Sequence, residues 1–80
     1  MNTKTIEVTS DVAQTLVGAV ITASIEKDDK GYHFTAMAMI DDARNLLPAL
    51  GKYEDEYEET LNTLYELYSE KADAKKANAA

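Results

Sequence analysis

An all-α fold, a three-helix bundle or a helical hairpin with an added helix, is what this chain of 80 residues predicts. Three observations predict it. Apolar residues recur at helical spacing in three separate segments. Gly31, Pro48 and Gly51 fall between those segments. The last segment, residues 53 to 70, puts an aromatic stripe and an acidic ridge on opposite sides of one helix.

Lys4-Thr5-Ile6-Glu7-Val8-Thr9 alternates polar with β-branched apolar residues, which predicts a short extended N-terminal segment. Thr9, Ser10 or Asp11 can cap the helix that follows, and Asp11 with Gln14 has the spacing of a capping box. In that helix Val12, Ala13, Leu16, Val17, Val20, Ile21 and Ala23 share one half of the wheel and are expected to be buried. Ser24 intrudes on this face and Ile25 lies outside it.

Lys27-Asp28-Asp29-Lys30-Gly31 reads as a turn, with Gly31 able to adopt the positive φ that ends a helix or tightens a hairpin. Two architectures compete here. Residues 21–26 and 32–36 both alternate, so an α+β fold with a β-hairpin over 19–40 and a long C-terminal helix is the alternative. Helices are preferred because Ala36, Met39, Ile40, Ala43, Leu46, Leu47 and Leu50 fill an arc of only about 120°, opposite Asp41, Asp42 and Asn45. Pro48 ends this second helix at 46 or 47.

The third helix is predicted from Tyr53 to Ala72 or later. Tyr53, Tyr57, Thr60, Leu61, Leu64, Tyr65, Leu67 and Tyr68 lie on one side of it, with Asp55, Glu56, Glu59, Glu66 and Glu70 across from them. Glu54, Asp55 and Glu56 match the positive end of the helix dipole, and Lys71, Lys75 and Lys76 the negative end. Residues 1–72 are therefore expected to form a single helical domain, and residues 73–80, which offer no large apolar side chain, a frayed or disordered tail.

Fifteen acids against eight bases give a net charge of −7. Most of it lies beyond residue 40, where ten acids face five bases. That balance disfavours direct contact with nucleic acid or an anionic membrane and favours a protein partner with a basic surface, although solubility alone also accounts for it. With no cysteine and no apolar run long enough to cross a bilayer, a cytoplasmic location is expected. With one histidine and no glycine-rich phosphate loop, the chain is expected to be non-enzymatic and to bind no cofactor. Asp28 to Gly31 supplies too few oxygen ligands for a calcium loop, so no metal is expected. His33, beside the turn, is expected to be exposed and without a role.

The acids of the third helix need more explanation. Glu54/Glu58, Asp55/Glu59 and Glu66/Glu70 are like-charge neighbours that cost about 0.2–0.5 kcal/mol each, and the dipole offsets this only in the first turn. Fold stability does not require them. Their axial density, roughly one charge per 3.5 Å, is near the 3.4 Å phosphate spacing of a DNA strand, although Asn62 and Thr63 interrupt the series. Asp55, Glu59, Glu66 and Glu70 are thus candidate steering charges. Tyr57, Tyr65 and Tyr68 are candidate anchors at the margin of a core or at an interface, where tyrosine is over-represented.

Ile6-Glu7-Val8-Thr9, followed by Ala13, Leu16 and Ala19, resembles a pattern found in small acidic accessory proteins of bacteriophage type. The resemblance implies a stoichiometric inhibitor of a host defence or nucleic-acid-binding protein, of the anti-CRISPR or anti-restriction class, acting in the host cytoplasm. The alternative is a structural or assembly protein that forms a homodimer or larger oligomer through its Tyr/Leu helix face.

Overall fold

The computed structural model describes residues 9–78, and these fold as three α-helices joined by a turn and a 3-10 segment. In chain order they are α1 (Ser10–Asp29), α2 (His33–Arg44), the 3-10 segment (Leu47–Tyr53) and α3 (Glu54–Asn78). The described residues contain no strand, so the hairpin alternative over 19–40 does not form. Of the expected extended segment only Thr9 is described; the rest lies outside the described residues.

Thr9 is the residue that starts α1. Its backbone is extended (φ −69, ψ 160), and its Oγ1 accepts a hydrogen bond from the Val12 backbone N–H at 3.2 Å. Thr9→Ala should lower stability by about 1 kcal/mol, read as a drop in melting temperature at unchanged helical content; an unaltered transition would mean the cap is idle. At the other end Gly31 takes φ 89 and its N–H donates to the Asp28 carbonyl, closing α1 and reversing the chain.

α2 ends at Arg44, two or three residues before the position that Pro48 implied, because the chain first tightens into a turn and then into the 3-10 segment with Pro48 near its start. This change of period delivers Leu50 to the core from the 3-10 segment rather than from α2. Gly51, at φ 60, provides the kink into α3. α3 then runs past Ala72 to Asn78, so residues 73–78 are helix where a frayed tail was expected. The extension has an anchor: Ala72 is buried, and Lys75 Nζ donates to the Gly31 carbonyl at 2.9 Å.

α1 and α3 both pack on α2, and the 3-10 segment closes one end. The molecule is thin, with extents of 50 × 33 × 16 Å and a radius of gyration of 14.8 Å, against about 12 Å for a compact chain of this length. The core is accordingly small. Its larger members are Val17, Ile40, Leu50, Leu61 and Tyr68, filled in by Ala13, Ala36 and Ala43.

Candidate functional site

Along α3 the acids stand where the sequence placed them. Asp55, Glu59, Glu66 and Glu70 are all exposed and fall within an arc of about 60° at 100° per residue, over a length of about 22 Å. Glu56, Glu58 and Asp73 are exposed beside them. Among the described residues no cation lies within ion-pair distance of any α3 acid: the ion pairs join Glu26 to Lys30, Asp28 to His33 and Lys71, and Asp41 to Arg44. Three of the neighbouring bases are committed elsewhere. Lys71 reaches to Asp28, Lys75 caps the Gly31 carbonyl, and Arg44 lies across α2 and α3. The ridge is therefore uncompensated, and its like-charge cost stands in the folded protein.

The tyrosines turn out differently. Tyr68, expected as an anchor for a partner, is 1% exposed and belongs to the core. Its hydroxyl lies 2.9 Å from Ser24 Oγ, and Ser24 gives its own proton to the Ile21 carbonyl at 2.8 Å, so the phenol is the donor between them. Tyr65 is half-buried and lies under the Arg44 guanidinium, 4.7 Å from the ring centroid. Arg44 also donates to Asp41 Oδ1 at 2.6 Å and to Asn62 Oδ1 at 3.0 Å, which ties α2 to α3 and fixes the ring. Tyr57 is half-buried against the core cluster. Of the Tyr/Leu helix face, Leu61 and Tyr68 are buried, and Tyr53, Tyr57, Leu64 and Tyr65 pack half-buried against the core, whereas Thr60 and Leu67, expected on the same side, are exposed.

A polar cluster that the sequence did not bring together joins all three helices. Asp28, 4% exposed, sits in the last turn of α1, an unfavourable place for a negative charge by the dipole rule. Both of its oxygens are used. Oδ1 accepts from His33 Nδ1 at 2.5 Å, and Oδ2 accepts from Lys71 Nζ at 2.6 Å. A carboxylate can only accept, so Nδ1 carries a proton. Burial pushes the Asp28 carboxyl up, but hydrogen bonds and charge from Lys71 and His33 outweigh it and hold the group below its ordinary value. The same bond to Asp28 holds the Lys71 ammonium above its ordinary value, against some desolvation. His33 is thus no bare connector residue: it opens α2 and is mostly buried against Asp28.

Beside this clasp lies an open groove of about 210 Å³ lined by Gly31, His33, Phe34, Ala72, Lys75 and Lys76. Its lining has no hydroxyl, thiol or carboxylate, so the Asp28–His33 pair faces no nucleophile there. Among the described residues no three His, Cys, Asp or Glu side chains converge as metal ligands. No helix there is long and apolar enough to cross a membrane.

No family model, curated protein or solved structure matches this chain.

Proposed function

We propose that the chain is a non-enzymatic binding module that acts on a basic protein surface through the outward ridge of α3. Asp55, Glu59, Glu66 and Glu70 are its steering charges. The observation that supports this is the uncompensated ridge itself: seven exposed acids from Asp55 to Asp73, with Lys71 and Lys75 drawn away toward the α1–α2 turn. Exposed charge of one sign in a row raises the encounter rate with a complementary surface. A groove that binds a nucleic-acid backbone is one such surface, which leads to an inhibitor of a host defence or nucleic-acid-binding protein, of the anti-CRISPR or anti-restriction class. Tyr57, Tyr65 and Tyr68 have structural duties in this reading, all three packed in or against the core.

Capture from a lysate of the source cell tests it. The wild-type chain should retain a basic protein at low salt and release it as salt rises, since the attraction is screened within about 10 Å at 0.1 M. Glu66→Lys with Glu70→Lys should slow association about tenfold while leaving the fold intact, because both side chains are exposed and unpaired among the described residues. Equal retention by both chains would remove the ridge as the contact. Release of the captured protein by duplex DNA would identify a nucleic-acid groove as the surface being blocked.

A further inference from the structure

Five of the eight bases in this acidic chain, Lys27, Lys30, Lys71, Lys75 and Lys76, gather where the end of α1 meets the last turns of α3. The groove of about 210 Å³ beside the Asp28 clasp opens among them. Its lining combines apolar Phe34 and Ala72 with Lys75 and Lys76. Phe34, 68% exposed, leaves more of itself in water than any other large apolar side chain among the described residues. Lys75 is held in place: its ammonium donates to the Gly31 carbonyl at 2.9 Å, and a Cβ at position 31 would come within 3.2 Å of it, so the glycine leaves it room. Lys76 has no ion-pair partner among the described residues. The nearby acids lie outside the lining. Asp28 is buried and already bound to His33 and Lys71, while Asp29 and Asp73 are exposed elsewhere on the surface. The first turn of α2, which carries His33 and Phe34 to the groove, has no acid and no side-chain cap, so its dipole adds the same positive sign.

The geometry points to a binding site for a small aromatic carboxylate, its ring against Phe34 and Ala72 and its carboxylate at Lys75 and Lys76. Charge, size and the apolar lining select this occupant together. Two lysines without a lining acid take an anion, although the chain as a whole carries −7. The volume admits about one ring, since a cavity of about 150 Å³ holds a benzene and sites for larger ligands run to about 300–1,000 Å³. A nucleotide is therefore too large. A protein partner needs about 800 Å² from each side, far more than a groove of this size presents. An inorganic anion would use the lysines and leave Phe34 and Ala72 in water. An aromatic ring uses both, and gains from Phe34 the offset or edge-to-face contact that an aliphatic chain lacks.

Titration of the full chain with sodium hydrocinnamate, followed by amide-resolved NMR, tests this. The amides of Gly31, His33, Phe34 and Ala72 should shift together and saturate, with a dissociation constant on the order of a few millimolar for a ligand of this size. Hydrocinnamamide keeps the ring and loses the charge, and it should bind at least about threefold more weakly. Phe34→Ala should weaken hydrocinnamate about fivefold and Lys76→Gln about threefold, both with unchanged far-UV dichroism because the two side chains are exposed. Glu66→Lys with Glu70→Lys should leave the same amides shifting, which separates this site from the ridge. Equal binding of the acid and its amide would overturn the proposal, as would an unchanged constant in both groove variants. So would the absence of saturation at about ten times the expected constant. A native mass above 8.8 kDa that falls to one chain in Lys76→Gln would give the groove to the acids of a second copy, and would overturn it too.

Discussion

Replacing Tyr68 by alanine should remove a large part of the stability of this protein. Truncating a fully buried aromatic side chain costs about 3–5 kcal/mol, and a chain of 80 residues has only about 4–12 kcal/mol in total. The thin shape makes the loss harder to absorb, since few other large side chains are available to close the cavity. Chemical unfolding should show a midpoint shifted far toward zero denaturant, or a chain already unfolded without it. Tyr68→Phe separates packing from hydrogen bonding. It keeps the ring but leaves Ser24 Oγ with only its bond to the Ile21 carbonyl, and it should cost about 1 kcal/mol. If Tyr68→Ala unfolded at the wild-type midpoint, the ring would not be the core residue described here. Loss of assembly in that variant would report unfolding, not a lost contact between chains.

The second large effect is expected at Asp28. Asp28→Ala leaves the imidazole of His33 and the ammonium of Lys71 without their shared acceptor. Breaking a buried ion pair costs about 3–5 kcal/mol, and because Lys71 keeps nearly half of its side chain in water the loss here should be nearer 2 kcal/mol. Asp28→Asn keeps the shape and removes the charge, and it gives the pH dependence its control. The folded carboxyl titrates below its ordinary 3.8, so its contribution is complete above that value and is lost as pH falls through the folded value. The Lys71 ammonium titrates above its ordinary 10.5, so its contribution is complete below that value and is lost as pH rises through the folded one. The stability gap between wild type and Asp28→Asn should therefore shrink at both the acid and the alkaline extreme. A gap that stayed constant through both extremes would show that the clasp contributes nothing electrostatic.

Asp28 and Ser24 also show what a helical wheel can and cannot reveal. Together with Ala13 and Val17 they define the buried stripe of α1. The intrusion of Ser24 into an apolar face was the visible sign that a polar partner would be needed there. Its partner, Tyr68, is 44 residues away in sequence. Lys71 is 43 residues from Asp28, so no local pattern could pair them. The buried face is rotated from the apolar half of the wheel: Val12 and Leu16, expected in the core, are exposed because the buried side of α1 turns toward its satisfied polar groups. Arg44 carries no local signal for the same reason, its partners Asn62 and Tyr65 being on another helix.

By itself the sequence favoured three helices over a hairpin, and determined the turn at Gly31, the end of the second helix to within two or three residues and the outward placement of Asp55, Glu59, Glu66 and Glu70. These follow from backbone chemistry and from the 3.6-residue period, both of which are local. Only the tertiary structure decided which tyrosines have duties in the core, where the lysines of α3 go and how far that helix extends. Those outcomes depend on which distant groups meet in space to satisfy a buried hydroxyl, a carboxylate or a carbonyl, and no local period carries that information.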